Sequence, residues 1–222
     1  MILGTRNFGR FQSVGKERSR PDEDCPMAEA VPHPTALLRE QIVATALAMV
    51  EDAGLDAVTM RSLARRLGYS PASLYMHFRG KDELLRAVAA DRAETLLADV
   101  SRAAAHQDAV RALEDIAARF FSFARESEAF DRLIFDETPG APFSSAEEVH
   151  RERLYEIVSE ALARAAAPTD PELRGPLAWG ELRGIARLVR PSGPDPAGAR
   201  KIRSREPAQL AHRWAQHWVS AG

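Results

Sequence analysis

Apolar side chains recur at three- and four-residue steps along most of the chain, which is the spacing of amphipathic α-helices. Strand-like alternation of apolar and polar residues does not appear. Glycines and prolines separate the apolar runs, at positions where helices commonly end or begin. The sequence therefore predicts an all-α fold of about nine helices, over residues 35–53, 60–67, 71–78, 81–101, 108–125, 127–136, 145–166, 171–190 and 206–220.

The second and third predicted helices are short and lie close together in the sequence. Thr59 is placed to cap the first of them, and Ser70 followed by Pro71 is a typical start for the other. Only the turn Gly68-Tyr69-Ser70 separates the two, so they must pack at a steep angle. This arrangement predicts a helix-turn-helix.

Three regions follow from these patterns. Residues 1–33 combine few apolar side chains with several prolines, and we expect them to form a disordered N-terminal extension. The first 20 residues carry five basic and one acidic side chain, so a basic arm that touches DNA is the alternative. Met27 also leaves open a later translation start. Residues 34–80 are predicted to form a three-helix helix-turn-helix domain, and residues 81–222 a helical C-terminal domain.

Composition narrows the class of protein. The single Cys25 excludes a disulfide framework and a thiolate zinc site, and no apolar run is long enough to span a membrane. We therefore expect a cytoplasmic protein with no membrane partner. The formal charge of −2 seems to argue against nucleic acid. Arginine accounts for 27 of the 30 basic residues, a bias that a GC-rich genome would give any protein.

The distribution of charge changes that picture. From Thr59 to Lys81 there are five basic residues and no acidic one, whereas the 141 residues after Lys81 carry 19 basic and 23 acidic side chains. The helix-turn-helix therefore has a charge of +5, and the remainder of the chain after it has a charge of −4. Positive charge concentrated on this unit suits contacts with DNA phosphates.

Several side chains of the helix-turn-helix are candidates for DNA contact. The second helix of such a unit enters the major groove and presents its N-terminal residues to base edges. Arg61 is the best candidate for a paired contact to guanine, with a phosphate contact as an equal alternative. Tyr75 and His77 could instead serve packing and capping. The predicted base-reading residues are Arg61, Pro71, Ala72, Ser73 and Met76, and the predicted phosphate-contacting residues are Thr59, Tyr75, His77 and Lys81.

The same segment resembles the DNA-binding region of TetR-family transcriptional regulators. The resemblance covers about 50 residues, from Thr35 to Leu85, and Tyr69 departs from it because the family often has valine there. It implies a homodimer that binds a pseudo-palindromic double-stranded DNA operator, usually as a repressor, and releases it when a small molecule binds. The matching positions are Thr59, Arg61, Leu63-Ala64, Leu67-Gly68, Leu74-Tyr75, His77-Phe78, Lys81 and Leu84-Leu85.

The resemblance also suggests roles for the C-terminal region. In the family, the last two helices of each subunit form an intermolecular four-helix bundle, and we expect the effector pocket to lie among the fourth to eighth predicted helices. Aromatic walls with few polar groups are typical of sites for small molecules. The candidate pocket residues are Phe120, Phe123, Phe135, His150, Tyr155 and Trp179. The candidate interface residues, which could alternatively belong to the core of the subunit, are Leu173, Leu177, Ile185, Leu188, Leu210, Trp214 and Trp218.

Motifs for catalysis and for cofactors are missing from the sequence. It contains no phosphate-binding glycine loop, no Gly-x-Ser-x-Gly and no His-Glu-x-x-His. His212 and His217 are five residues apart, which is a poor spacing for a shared metal on a helix. We therefore expect no enzyme, no cofactor and no metal site. The alternative to a DNA-binding regulator is an adaptor that keeps the helix-turn-helix as a scaffold and binds a small molecule or a protein.

Overall fold

The computed structural model describes residues 34–135, 145–165, 170–196 and 198–220, and the predicted extension 1–33 lies outside them. Within these ranges the chain forms ten α-helices and no strand, so the all-α prediction is confirmed. None of the described helices is long and apolar enough to cross a membrane. The helices are α1 (Pro34–Ala53), α2 (Met60–Leu67), α3 (Pro71–Tyr75), α4 (Lys81–Ala104), α5 (Ala109–Glu126), α6 (Glu128–Phe135), α7 (Ser145–Ala165), α8 (Pro171–Val189), α9 (Ala199–Arg203) and α10 (Pro207–Ser220).

The two helices of the helix-turn-helix begin at the caps that the sequence predicts. The Thr59 hydroxyl accepts a hydrogen bond from the Ser62 backbone N–H at 3.0 Å, and Ser62 Oγ accepts one from the Thr59 N–H at 2.9 Å. α2 ends at Gly68, whose φ of 75° lies in the left-handed region that favours glycine. Ser70 caps α3 by accepting from the Ser73 N–H. Local sequence therefore sets the angle between α2 and α3.

Two large hydrophobic cores hold the described chain together, and α4 contributes to both. Its first turns place Leu84 and Val88 in a core with α1, α2 and α3. Its later turns place Leu96 and Val100 in a second core built around α5. α5 is the centre of the C-terminal half and packs on α4, α7, α8 and α10. Because one continuous helix serves both cores, the predicted domain boundary at residue 81 stays a prediction.

Asp108 fixes the start of the central helix α5. Its carboxylate accepts hydrogen bonds from the backbone N–H groups of Val110 and Arg111, at 2.9 and 3.2 Å. These bonds, that of Arg111 foremost, lower the pKa of Asp108 because they favour its ionised form. The negative charge also lies where the helix dipole is positive.

The count of nine helices is wrong by one within the described residues. α9 contains five residues and follows the Pro/Gly-rich stretch, and a helix this short shows no apolar period in the sequence. Tertiary contacts hold it instead, because Ala199 is buried and Arg203 donates hydrogen bonds to Pro194 O and to Asp195. The recognition helix α3 also ends at Tyr75 rather than near Phe78.

Candidate nucleic-acid interface

The recognition helix α3 and its C-terminal turn present large apolar side chains to the solvent. Met76 is 85% exposed and Tyr75 is 54% exposed. Leu74, directly before Tyr75, and Phe78, two residues after Met76, are buried in the first core and anchor the helix. Tyr69, in the turn before α3, is 44% exposed, a contribution to this surface that the sequence analysis did not assign. Exposed apolar groups grouped in this way mark a binding surface.

The hydroxyl group of Ser73 on α3 has a local hydrogen-bond partner. Ser70 Oγ and Ser73 Oγ lie 2.9 Å apart, so one of these hydroxyls donates to the other. The Ser73 hydroxyl, a predicted base contact, is thereby oriented before any DNA arrives. Pro71 and Ala72 are exposed at the start of the helix, and His77 is half-buried at its end. The predicted base-reading residues other than Arg61 therefore share one short helix and its capping residue.

The neighbouring helix α2 carries several arginines. Arg61 and Arg65 are exposed on α2, and within the described residues neither guanidinium has an ion pair or a hydrogen bond. Arg66, by contrast, pairs with Asp52 of α1 at 3.1 Å. Two guanidiniums on α2, the helix that packs on α3, are thus available to a negatively charged partner.

Two predicted phosphate contacts have structural partners in the described chain. The Lys81 ammonium donates a hydrogen bond to the carbonyl oxygen of Leu55, in the short 3-10 helix Leu55–Ala57, across 2.9 Å. The Thr59 hydroxyl is engaged in the cap of α2. The Lys81 ammonium and the Thr59 hydroxyl can each form further hydrogen bonds, so their phosphate contacts stay predictions. Both residues also have a structural role within the helix-turn-helix region.

Behind this unit, in the C-terminal half, aromatic residues line an open groove of about 530 Å³ between α6, α7 and α8. Trp179 is at its centre, with ring centroids 5.6 Å from Phe120, 6.3 Å from Phe135 and 6.0 Å from Tyr155. These separations are typical of favourable edge-to-face contacts. Phe135, Tyr155 and Trp179 line the groove together with Gly180, Glu148, Arg151, Glu152 and Arg183.

The remaining pocket candidates are elsewhere. Phe120 is fully buried and supports Trp179 from behind, so it does not line the groove. Phe123 is half-buried among the hydrophobic cores. His150 lines a different surface groove, between α1, α4 and α7. None of these three residues lines the aromatic groove, and their role as ligand contacts stays a prediction.

Comparison with known proteins identifies the helix-turn-helix. Residues 42–88 match the family model for bacterial regulatory proteins of the tetR family. The helix-turn-helix unit belongs to the TetR family. The sequence-based resemblance is thereby confirmed for this part of the chain.

Individual relatives agree with this assignment. The TetR-family unit is 45% identical over 53 residues to the class C tetracycline repressor protein of Escherichia coli, and this alignment spans only 24% of either chain. Over the whole fold, the chain is similar to the TetR-family regulator PfmR of Thermus thermophilus, with a TM-score of 0.57, 22% identity, and coverage of 81% of this chain and 97% of that one. A protein of unknown function from Rhodococcus sp. RHA1 gives a TM-score of 0.68 with 21% identity, covering 87% and 98%.

The structure divides the dimer-interface residues predicted from the TetR-family resemblance into three sets. Leu210 and Trp214 of α10 are buried in the second core, at 7% and 2% exposure, and leave almost no surface for a partner. α10 packs on α5, so these two residues belong to the core of the subunit, which is the alternative that the sequence left open, and their interface contacts stay a prediction. Leu173 and Leu177 are more than half exposed on α8. Ile185, Leu188 and Trp218 are half-buried.

A buried ionic cluster behind the TetR-family unit was missed by the sequence analysis. Asp131 of α6 is fully buried, and its carboxylate accepts hydrogen bonds from Arg183 at 3.0 and 3.3 Å and from Arg190 Nε at 2.6 Å. The Arg183 guanidinium also lies 3.6 Å from the centre of the Phe135 ring. One signal was available: Asp131 occupies the apolar face of α6, directly after Phe130 and one turn before Ile134 and Phe135.

Proposed function

We propose that this protein is a DNA-binding transcriptional regulator that responds to a small molecule, and that it acts as a repressor. It binds a pseudo-palindromic operator as a homodimer and leaves it when the effector binds. The observation that carries the proposal is the exposure of Tyr75 and Met76 at the end of α3, on a TetR-family unit whose helix α2 carries two exposed, unpaired guanidiniums. The proposal includes no catalytic step and no cofactor.

The chemistry of this face supports DNA as the partner. Apolar side chains on a helix that fits the major groove can contact thymine methyl groups, and Arg61 can pair with guanine O6 and N7. Arg65, Tyr75 and Lys81 supply donors for phosphates, which fix the register of a protein on the duplex. A surface of this type binds double-stranded DNA better than it binds a protein, because its charge is positive throughout.

The exposed side of α8 is the candidate interface of a homodimer. Leu173 and Leu177 stand out from it, and Leu188 lies further along the same side. Gly184 lies between them, and a Cβ at this position would meet no atom within 4 Å, so a second helix could approach closely there. A self-complementary contact through this face would give the two-fold symmetry that a pseudo-palindromic operator requires.

The aromatic groove is the candidate site for the effector. Its volume of about 530 Å³ suits a small organic molecule. It is connected to the DNA-binding half through α6, which places Phe135 in the groove and Phe130 in the core of the helix-turn-helix. A ligand can change operator affinity only if it binds two arrangements of this helix with different affinities.

The decisive experiment is selection of bound fragments from random and genomic DNA with the purified full chain, followed by mobility-shift titrations at several salt concentrations. We expect an inverted repeat with half-sites about one helical turn apart, bound about a thousandfold or more tightly than random DNA. Recovery of no enriched sequence at physiological salt would reject the proposal in favour of the adaptor function.

A further inference from the structure

We propose that the basic N-terminal segment of the chain docks on the surface groove between α1, α4 and α7, and that residues 6–11 are the part that fills it. This groove, called the α1–α4 groove below, has a volume of about 910 Å³ and shares no lining residue with the aromatic groove. The docking requires neither an operator nor an effector, so it does not depend on the proposed function.

The α1–α4 groove is negatively charged. Four acidic and two basic side chains line it, which gives a formal charge of −2 from these six residues. Both arginines already have contacts, because the Arg39 guanidinium lies 4.7 Å from the centre of the Phe78 ring and Arg86 has a partner. Three exposed carboxylates have no ion pair and no hydrogen bond within the described part of the chain, namely those of Glu40, Asp91 and Glu94.

Apolar side chains lie between these charges. α1 contributes Leu47 and α4 contributes Ala87 and Ala90, and all three are only half-buried in the described structure. The two alanines are small and leave room for a large side chain beside them. The segment that fits this groove best therefore combines positive charge with bulky apolar groups.

The N-terminal segment has this combination. Residues 6–11 read Arg-Asn-Phe-Gly-Arg-Phe, so two guanidiniums and two phenyl rings occur within six residues. The first acidic residue of the chain is Glu17, and the first 20 residues have a formal charge of +4 from five basic side chains and one acidic one. Guanidiniums form paired hydrogen bonds with carboxylates, and phenyl rings bury a large apolar area. The segment and the groove are thus complementary in both charge and polarity.

The chain also leads to the groove. α1 begins at Pro34, and its side chains between Arg39 and Leu47 form one wall. Pro34 and Leu47 are about 20 Å apart along the helix. The 22 residues from 12 to 33 can span up to about 70 Å, so the segment can reach every part of the groove. Because the segment and the groove belong to one chain, the effective concentration is on the order of millimolar, and weak contacts are sufficient.

The test is photo-cross-linking of the full chain in the absence of DNA, with Phe8 replaced by p-benzoylphenylalanine, which keeps an aromatic ring at this position. We expect mass spectrometry to locate the cross-links within residues 39–47 of α1 or 83–94 of α4. No cross-link, or cross-links scattered over other helices, would overturn the docking. Irradiation of a mixture of isotope-labelled and unlabelled protein identifies the chain that is bound. Cross-links mainly between two chains would overturn docking within one chain.

Two matched double variants test the charge complementarity. Glu40→Gln with Glu94→Gln removes two unpaired charges from the groove and nearly preserves side-chain volume, and we expect the cross-link yield to fall about fivefold. Glu126→Gln with Glu152→Gln removes two exposed, unpaired charges outside the groove and should leave the yield within about twofold. An unchanged yield in the groove variant, or equal losses in both variants, would reject the groove as the docking site.

Added DNA distinguishes docking from the DNA-contacting arm that the sequence left as an alternative. The same photo-cross-linking is repeated with double-stranded DNA present. Cross-links from residue 8 to α1 or α4 in the DNA-free sample support docking, whether or not DNA then displaces the segment. Cross-links from residue 8 to DNA alone, with none to α1 or α4 in either sample, would assign the segment to DNA and overturn the docking.

Discussion

The Lys81 ammonium donates a hydrogen bond to the Leu55 carbonyl oxygen, and so it joins the start of α4 to the turn that precedes the helix-turn-helix. The lysine is half-buried, and its remaining N–H groups can reach a phosphate. One side chain thus connects the position of α4, which belongs to both hydrophobic cores, with the surface that we propose to contact DNA.

We expect Lys81→Met to affect both functions of this residue. Operator and random DNA should lose affinity alike, and the slope of log affinity against log salt should decrease by about one because one phosphate contact is lost. Urea unfolding should show a loss of about 1.5–3 kcal/mol, the contribution of a hydrogen bond from a charged donor. Lys81→Arg serves as the control for charge. A reduced stability with an unchanged salt slope would leave Lys81 as a structural residue alone.

Arg61 tests base recognition. Arg61→Ala should reduce discrimination at one base pair of each half-site by about 1–3 kcal/mol, because a paired contact to guanine O6 and N7 is lost. Arg65→Ala removes a neighbouring unpaired guanidinium and should weaken all sequences similarly. Mobility-shift titrations against single-base operator variants measure both effects. An intact base preference in Arg61→Ala would assign this residue to the phosphates.

Met76 tests apolar recognition of thymine. Replacing a contacted thymine with uracil removes only the 5-methyl group, and we expect a loss of about 0.8 kcal/mol in binding free energy for each methyl lost from the interface. In Met76→Ala, the same replacement should cost almost nothing, because the side chain that covers the methyl group is gone. The two losses form a double-mutant cycle, and the difference between them is the interaction energy of Met76 with the methyl group. Equal losses in both proteins would place Met76 away from the bases.

Substitution of Leu173 and Leu177 tests the proposed dimer interface. Their joint replacement by glutamate should give a monomer by light scattering and should reduce operator affinity about a hundredfold, because the second half-site is no longer bound within the same molecule. Val149→Glu changes another exposed apolar residue, 60% exposed on α7, and should keep the dimer. A dimer that survives the leucine substitutions would move the interface away from this face of α8.

Substitution of Asp131 tests how much the buried ionic cluster contributes to stability. Asp131→Ala leaves two guanidiniums without their carboxylate, and Arg190 is only 4% exposed. We expect a loss of about 3–5 kcal/mol in the free energy of unfolding, measured with urea. A triple variant with Asp131→Leu, Arg183→Met and Arg190→Met should recover most of this loss, since all three charges of this cluster are then removed. A loss below about 1 kcal/mol in the single variant would show that water or rearrangement solvates the arginines.

The helix-turn-helix was the most predictable part of the molecule. Thr59, Gly68, Ser70 and Pro71 act through bonds within their own turns, so their effect can be derived from residue order. Periodicity also predicted the long helices correctly in type. It failed for α9, where five residues are too few to show a period, and for the end of the recognition helix, where the chain turns after Tyr75 to bury Phe78.

The sequence by itself determined the all-helical fold, the caps of the helix-turn-helix and the concentration of positive charge on it, because all three depend on near neighbours in the chain. Only the tertiary structure decided which apolar residues face outwards. Trp214 and Leu177 are both apolar positions on amphipathic helices, yet one is buried against α5 and the other is exposed on α8. Likewise, the aromatic groove and the Asp131 cluster join residues about 50 positions apart. Such contacts depend on how helices pack, which periodicity within a single helix does not specify.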